Sequence, residues 1–266
     1  MITSNKLYCL DGKIEKLYNS CQVFLTSDSI QISKLSHLSI FPTFLFNGYP
    51  GTGKSSVASI LYEKLKEKHN IDIARLNIDE LISHNFGESS SNLRAYFHSK
   101  KEEIKNNKSH YFIIIDELDS FTINRYQNDN DSIKRILLTF NTIIDDLIRN
   151  DEIYKFIIIA TTNIKEVIDT SILRRFYFKE DFNIQLNEDD FVKLLNELGD
   201  LTEIRPKGSL TEIFQIYNKK KYTLGEVKSI YSKVYFNTLI CKEKSFIDAK
   251  DFSDYQTFYE LESSYK

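Results

Sequence analysis

Short apolar runs bounded by polar residues recur along the first 185 residues and predict β-strands. Most of these runs are continuously apolar, which is typical of parallel strands covered on both faces, and one alternates. Helix-patterned stretches lie between them, so the chain has the alternation of an α/β domain with a parallel sheet. The runs cover residues 41–46, 71–76, 111–115 and 156–160, and a further extended segment covers 177–185.

The stretches between the predicted strands carry apolar residues at helical spacing. A helix over 55–69 follows the first run, and a helical turn over 79–85 precedes a helix that is capped by 89–92. A longer helix begins at Asp131 or Ser132, because either side chain can cap it. Its apolar face consists of Ile133, Ile136, Leu137, Phe140, Ile143, Ile144, Leu147 and Ile148.

Only helical patterning continues beyond Asn187. Asn187, Ser209 and Thr223 each stand where a helix is expected to begin, and the last two are followed three residues later by Glu. A final helix is predicted over 248–262. We therefore predict three parts, which are a short N-terminal segment with one amphipathic helix (1–40), an α/β core (41–186) and an all-helical lid (187–266).

The turn after the first predicted strand has the pattern of a phosphate-binding loop, GxxxxGK[ST]. Glycines let the backbone direct consecutive amides at phosphate oxygens, and the helix that follows adds its free N–H groups. Lys54 would reach the outer phosphates and the Ser55 hydroxyl would bind magnesium. The alternative is a plain glycine-rich turn, but the flanking strand and helix favour binding of ATP or GTP. The candidate nucleotide-binding residues are Gly48, Pro50, Gly51, Thr52, Gly53, Lys54, Ser55 and Ser56.

Two adjacent carboxylates, Asp116 and Glu117, directly follow a continuously apolar predicted strand. The carboxyl ends of parallel strands form the ligand-binding edge of open α/β sheets. Asp116 would hold magnesium, directly or through water, and Glu117 would act as the general base for the attacking water. Beside a phosphate loop, this interpretation is favoured over a strand that ends at an acidic surface turn.

Three further polar residues lie between the apolar run 156–160 and the extended segment 177–185. The amide of Asn163 could orient the attacking water or contact the terminal phosphate, although an asparagine there is by itself more typical of a turn. Arg174 and Arg175 precede an aromatic residue. Paired arginines are often surface charge, but either could act as an arginine finger on nucleotide bound to a neighbouring subunit.

The composition of the chain limits which kinds of binding partner and which cellular location we expect. The chain has 266 residues, with 35 basic and 38 acidic side chains and a net charge of -3, which gives no reason to expect nucleic acid or an anionic membrane as partner. The cysteines and histidines lack metal-ligand spacing, so we expect reduced thiols and no zinc site. The N-terminus lacks a secretory signature, and no apolar run approaches the ~18 residues of a membrane span. These features predict a cytoplasmic protein.

The order of these motifs resembles that of AAA+ ATPases, most closely the AAA branch. The matching segments are GYPGTGKS, FGESSSNLRAYF, FIIIDELD, IIIATTN, ILRRF and, in the lid, TLGEV. The resemblance covers about residues 40–260 and implies a P-loop core with a parallel five-stranded sheet of order 5-1-4-3-2. It also implies ATP hydrolysis, with ATP and Mg²⁺ bound between adjacent subunits of a ring that is usually a hexamer.

The resemblance also assigns roles to individual residues. The family roles fall on Lys54 and Ser55 (Walker A), Asp116 and Glu117 (Walker B) and Asn163 (sensor 1). Gly225, in the lid, would lie near the adenine. Of the two finger candidates Arg175 is preferred over Arg174, but the segment ILRRF lacks the Pro-Gly spacing of the family, and the choice stays open.

Two departures from the family pattern concern the target. The substrate-gripping loop of the AAA branch has an aromatic residue two positions before the glycine of GES, whereas this chain has Asn85 there and Phe86 next to it. Phe86 could grip a substrate or pack beneath the loop, and both interpretations stay open. The chain shows no large N-terminal domain and no fused protease, so we expect target choice to come from a partner or from loops.

Together these features predict a ring-forming ATPase that remodels a dedicated protein partner. A DNA-transaction ATPase of clamp-loader type would use the same motifs, but the absence of a basic excess and the presence of GES argue against it. A nucleotide switch or scaffold without hydrolysis is the third alternative. The presence of Lys54, Asp116, Glu117 and Asn163 argues against that alternative.

Overall fold

The computed structural model describes residues 7, 9–77, 88–119, 130–241 and 246–264. The chain divides into two compact units. The sheet unit comprises Asp11–Gly48 and Lys54–Asp181, and the helical unit comprises Met1–Leu10, Tyr49–Gly53 and Phe182–Lys266.

Strands and helices alternate along the sheet unit, as the sequence pattern predicts. Its elements are α1 (Asp11–Thr26), α2 (Ser29–His37), β1 (Thr43–Asn47), α3 (Lys54–Lys66), β2 (Ile71–Leu76), α4 (Glu88–Asn107), β3 (His110–Ile115), α5 (Asn130–Arg149), β4 (Phe156–Thr162), α6 (Thr170–Leu173) and β5 (Phe178–Asp181). Two 3-10 turns, Glu152–Lys155 and Lys165–Val167, flank β4.

The five strands form one parallel sheet of order β2-β3-β4-β1-β5, which confirms the predicted fold. β3 and β4 occupy the interior, and almost all of their side chains are buried, as their continuous apolar runs predict. β2 lies at one edge, where residues that are partly or fully exposed lie between its buried ends. β3, β4 and β1 are neighbours and parallel. The polar residues that follow them therefore lie close together, at the carboxyl ends of these strands.

α3 and α5 begin close to where the sequence places them, whereas α4 begins at Glu88, before its predicted cap over 89–92. α3 begins at Lys54 and ends at Lys66, three residues before the predicted end. α5 begins at Asn130, and the side chains of its predicted caps, Asp131 and Ser132, lie outside the described residues. The predicted turn over 79–85 also lies outside them.

The N-terminal segment contains two helices, whereas the sequence predicted one. α1 buries Ile14, Leu17, Cys21 and Phe24 and packs against α3. α2 buries none of its side chains, so it has no apolar periodicity that could have predicted it. Its start is fixed by a capping box, in which Asp28 accepts from the Gln31 N–H at 2.8 Å and Gln31 accepts from the Asp28 N–H at 3.2 Å.

The helical unit is built around an aromatic core. Its elements are α7 (Glu188–Thr202), β6 (Arg205–Pro206), α8 (Leu210–Lys220), α9 (Leu224–Cys241), β7 (Phe246–Ile247), α10 (Ala249–Ser253) and α11 (Phe258–Ser264). The predicted caps are present, since Asn187 accepts from the Asp190 N–H, Ser209 from the Glu212 N–H, and Thr223 and Glu226 form a full capping box. The core includes Phe191, Tyr217, Tyr222, Tyr231 and Phe252.

Two details of the helical unit differ from the sequence prediction. The helix predicted over 248–262 is wrong as a single element, because α10 ends at Ser253 and α11 begins at Phe258. A separate capping box, between Thr257 and Glu260, starts α11 independently. The unit also contains the short parallel pair of β6 and β7 in addition to its helices.

Among the residues that the structure describes, every helix falls short of the length and apolarity that a crossing of the bilayer requires.

Candidate nucleotide-binding site

Lys54, the first residue of α3, has a buried side chain that contacts Asn163, the residue after β4. Its Nζ donates to the Gly48 carbonyl at 2.5 Å and to Oδ1 of Asn163 at 2.9 Å. The lysine assigned to the outer phosphates and the asparagine assigned to the attacking water are therefore in direct contact.

The environment of Lys54 disfavours an isolated positive charge. Burial lowers the pKa of Lys54 from 10.5 to about 8, and the neighbouring Asp119, Asp116 and Glu117 act in the opposite direction. The three carboxylates thus compensate the burial only in part. A polyphosphate bound at Nζ would supply further negative charge and favour the ammonium form.

Ser55 and Asp116 form the second pair of the site. The Ser55 hydroxyl donates to Oδ1 of Asp116 at 2.8 Å, and the Thr161 hydroxyl donates to the same oxygen at 3.0 Å. Ser55 belongs to the first turn of α3, whereas Asp116 follows β3 and Thr161 lies in β4. Three elements therefore converge on one carboxylate oxygen.

The oxygen atoms of Ser55 and Asp116 fit Mg²⁺ bound together with a nucleotide. Among the described residues, no group of three or more His, Cys, Asp or Glu side chains is placed to hold a metal ion by itself. Mg²⁺ is, however, commonly held by one or two carboxylates together with substrate phosphates and water. The Ser55 hydroxyl and the Asp116 carboxylate, 2.8 Å apart, are ligands of this kind.

Glu117 has an unusual backbone conformation. Its φ of 56° lies in the left-handed region, which non-glycine residues adopt at some cost in free energy. Thr161 holds this conformation, because its hydroxyl accepts from the Glu117 N–H at 3.1 Å and its carbonyl accepts from the Leu118 N–H at 2.8 Å. Thr161 therefore positions both carboxylate residues, and the sequence analysis gave it no role.

Asp119 is a further residue that the sequence analysis left without a role. Its carboxylate is buried and accepts from the backbone N–H of Asn163 at 3.2 Å. This contact fixes the chain at the end of β4, so that the Asn163 side chain can reach Lys54. The run of acidic residues from 116 to 119 in the sequence was the available signal.

Arg75 completes the surroundings of Asp116. It lies in β2, and its Nη1 is 3.1 Å from Oδ2 of Asp116, while its Nη2 donates to the Ser59 hydroxyl at 2.9 Å. Both partners of the ion pair are partly exposed. An alternating strand gave no indication in the sequence that this arginine would reach the acidic pair.

Arg174 and Arg175 lie in different environments. Arg175 is buried, and its guanidinium makes a bidentate pair with Asp145 of α5, with Nε at 3.0 Å and Nη2 at 2.6 Å from the two oxygens. Its Nη1 also donates to the Ser171 carbonyl of α6. Arg174 is exposed. The guanidinium of Arg175 is thus occupied within its own chain.

The loop residues 49–53 belong to the helical unit. Asn183 accepts from the Tyr49 N–H at 2.8 Å, and the Thr52 hydroxyl donates to the Tyr49 carbonyl at 2.8 Å. Gly51 (φ 76°) and Gly53 (φ 92°) have the left-handed conformations that favour glycine.

Gly225 lies directly against the phosphate loop. A Cβ added at this position would come within 2.7 Å of both the Cα and the carbonyl oxygen of Gly51, closer than such atoms approach in proteins. Only glycine therefore permits this contact between α9 and the loop without a shift of one of them. Gly225, which the resemblance assigns to the adenine region, thus lies against the backbone of the loop.

A pocket of about 300 Å³ opens beside the loop within the helical unit. Tyr49 and Thr52 line one part of it, and Asn183, Lys221 and Tyr259 line other parts. The Lys221 ammonium lies over the Tyr259 ring, 4.2 Å from its centroid. The pocket therefore combines aromatic surface with hydrogen-bonding groups next to the glycine-rich loop.

The remaining candidate residues have simpler positions. Gly48 is buried and its N–H donates to the Thr162 carbonyl at 3.3 Å, while Pro50 and Ser56 are partly exposed. Asn85 and Phe86, the candidates for substrate contact, lie outside the described residues.

Comparison with known proteins gives the same family as the motifs. Residues 44–186, more than half of the chain, match the family described as the ATPase family associated with various cellular activities (AAA). A proteasome-activating nucleotidase of Methanosarcina mazei is 28% identical over 167 residues, which cover 62% of this chain and 37% of that protein. Vacuolar protein sorting-associated protein 4B of Mus musculus is 32% identical over 133 residues, which cover 50% of this chain and 28% of that protein. The matches thus span well under half the length of these curated relatives.

Among solved structures, the fold resembles a chain in the structure of an E. coli MS115-1 HORMA:CdnC:Trip13 complex. The TM-score is 0.72 at 15% identity, and the match covers 94% of this chain and 90% of that chain. At this identity the likeness concerns the fold alone. The family match is independent of it, and the parallel sheet of order β2-β3-β4-β1-β5 lies in the same part of the chain. The chain belongs to the AAA family of ATPases.

Proposed function

We propose that this AAA ATPase hydrolyses Mg²⁺-bound ATP at subunit interfaces of a ring and uses the reaction to remodel a protein partner. The observation that carries the proposal is the pair of contacts from α3, Lys54 to Asn163 and Ser55 to Asp116. These contacts support the proposal because they join the residue proposed to bind phosphate to the proposed sensor, and the two proposed magnesium ligands to each other.

Each side chain has a defined task in this proposal. Lys54 binds the outer phosphates through Nζ, and the bound phosphates favour its ammonium form against the burial that lowers its pKa to about 8. Ser55 and Asp116 hold Mg²⁺, which when bound neutralises the negative charge on the phosphate oxygens. Glu117 accepts a proton from the attacking water at its carboxylate, and Asn163 orients that water.

The position of the loop supports binding of the nucleotide beyond its phosphates. Gly51 and Gly225 touch, and the pocket beside the loop offers aromatic and polar groups within the helical unit. We propose that the base and ribose bind near these residues, with Gly225 kept free of a side chain by the contact with Gly51.

The environments of the two arginines favour Arg174 as the finger. The guanidinium of Arg175 is held by Asp145 and the Ser171 carbonyl, so its transfer to a neighbouring subunit would break a buried pair. Arg174 is exposed and sits next to it in the chain. We therefore propose Arg174 as the residue that acts on the neighbour's nucleotide, in place of the Arg175 preferred from the motif.

A protein target is favoured over nucleic acid. Two relatives carry names that refer to activating a proteasome and to vacuolar protein sorting. The net charge of -3 offers no general attraction for a polyanion. We propose a limited remodelling event on a dedicated partner, in a ring that is a hexamer.

The proposal is tested by steady-state phosphate release combined with light scattering, with and without a non-hydrolysable ATP analogue. We expect Mg²⁺-dependent hydrolysis and, with the analogue, a mass near six times that of the 31.2 kDa chain. Lys54→Ala should lose both the hydrolysis and the assembly with the analogue. A monomer that hydrolyses ATP at a rate independent of protein concentration would contradict the ring, and salt-sensitive stimulation by DNA would favour the clamp-loader alternative.

A further inference from the structure

Arg75 extends from β2 to the carboxylate that we propose holds Mg²⁺. β2 and β3 are paired so that Arg75 lies opposite Ile114, two residues before Asp116. Nη1 of Arg75 is 3.1 Å from Oδ2 of Asp116. Nη2 donates to the Ser59 hydroxyl at 2.9 Å, and that hydroxyl donates to the Ser55 carbonyl at 2.9 Å. The guanidinium is therefore anchored both to Asp116 and to the helix that begins the phosphate site.

The two oxygens of Asp116 have different kinds of partner. Oδ1 accepts from the hydroxyls of Ser55 and Thr161, whereas Oδ2 faces Arg75. A hydroxyl can turn and offer a lone pair to an incoming metal ion, so Ser55 can remain in place when the ion binds. A guanidinium has no lone pair to offer and keeps its positive charge at any ordinary pH. Arg75 can therefore only compete with a cation at this carboxylate.

We propose that Arg75 is a resident counter-cation of Asp116, which competes with Mg²⁺ and so raises the Mg²⁺ concentration at which the site fills. The inference rests on the proposed role of Asp116 as a magnesium ligand. In the nucleotide-free chain the arginine neutralises Asp116. When the metal ion arrives with the nucleotide, Oδ2 exchanges the guanidinium for the ion or its water shell.

Because the pair is exposed, this exchange costs little free energy. The Arg75 side chain is 52% exposed and that of Asp116 is 37% exposed, so the released guanidinium can be solvated at once. Ion pairs with this exposure contribute little to folding stability, and Arg75 can be substituted without loss of the fold. Solvent also screens the pair, so we expect a moderate effect, about threefold to tenfold on the dissociation constant of the metal ion.

The test measures binding of Mn²⁺, as a stand-in for Mg²⁺, to the full chain saturated with ADP. Electron paramagnetic resonance detects the free ion directly and does not depend on catalysis. Arg75→Gln removes the charge and keeps a polar side chain, whereas Arg75→Lys keeps the charge. Arg149→Gln is the matched control, because Arg149 also makes an exposed pair, at 2.9 Å to Asp146, and its loss changes the net charge equally.

We expect Arg75→Gln to bind Mn²⁺ about threefold to tenfold more tightly than the wild type, with Arg75→Lys and Arg149→Gln within about twofold of it. Unchanged or weaker binding in Arg75→Gln would overturn the inference, and so would Arg75→Lys behaving like Arg75→Gln. If the wild-type complex itself bound no Mn²⁺, the proposed metal site would fail first, which separates the two failures. A thermal melt of each variant checks that it is folded.

Discussion

Nζ of Lys54 lies 2.9 Å from Oδ1 of Asn163, so the first residue of α3 is joined to the residue that follows β4. The ammonium has three protons, of which the Gly48 carbonyl and this amide oxygen accept two, so a phosphate that accepts more than one would displace one of these partners. We infer that Asn163 is released towards water when the site fills, while Asp119 keeps its backbone in place. We propose that this hydrogen bond couples occupancy of the phosphate site to positioning of the water.

The depressed pKa of Lys54 predicts how stability depends on pH. Above about pH 8 the folded chain loses this proton, whereas the unfolded chain keeps it up to about 10.5, so the unfolded state binds more protons. Between pH 8 and 10, the stability of nucleotide-free wild type should therefore rise relative to Lys54→Met, by up to about 1.4 kcal/mol per pH unit. Denaturant unfolding of both proteins measures this difference. A flat difference for Lys54→Met would contradict the desolvation of Lys54.

Glu117→Gln should separate binding from hydrolysis. The amide cannot accept the proton of the attacking water, so the rate of phosphate release should fall about 10²-fold to 10⁴-fold. Affinity for a fluorescent ATP analogue should stay within about threefold of the wild type, because Lys54 and the loop are unchanged. Glu63→Gln, an exposed change on α3, is the control and should retain full activity. Wild-type turnover in Glu117→Gln would exclude this residue as the general base.

Most of the sheet could be predicted from sequence, because burial on both faces leaves a continuous apolar run, as in β3 and β4. Three other features left a weaker signal or none. α2 buries no side chain, so only its capping box marked it. The break between α10 and α11 depends on Thr257 and Glu260, a short signature inside a longer helical pattern. Arg75 reaches Asp116 through strand pairing between β2 and β3, and such long-range contacts leave no local pattern.

The choice between Arg174 and Arg175 as the arginine finger also depends on tertiary contacts. The sequence does not show these contacts, because the two residues are identical and adjacent. Arg175→Ala should lower the free energy of unfolding by about 1–3 kcal/mol, since it leaves the Ser171 carbonyl and the half-exposed Asp145 without this donor. Arg174→Ala should change stability by less than about 0.5 kcal/mol and lower the ATPase rate by about 10³-fold. Urea unfolding measures the stability of each variant, and phosphate release measures its ATPase rate. A fully stable but inactive Arg175→Ala, beside an active Arg174→Ala, would return the finger role to Arg175.

Gly225→Ala tests the contact between α9 and the phosphate loop. The new methyl group would lie within 2.7 Å of the Gly51 backbone, so the loop or the helix has to shift. We expect nucleotide affinity to fall about tenfold or more, by fluorescence titration, because the loop amides lose their alignment. Gly12→Ala is the control, since a Cβ there meets nothing within 4 Å, and it should leave affinity unchanged. Equal affinity in both variants would show that Gly225 does not set the loop geometry.

Hydrolysis at sites shared between subunits is tested most directly by mixing two inactive variants, Arg174→Ala and Glu117→Gln. One supplies an intact general base and the other an intact finger, so in a randomly mixed ring about one quarter of the interfaces combine both. We predict that an equimolar mixture, exchanged and reassembled with ATP, regains about a quarter of the wild-type rate of phosphate release. No recovery in rings shown by mass to contain both variants would contradict the account.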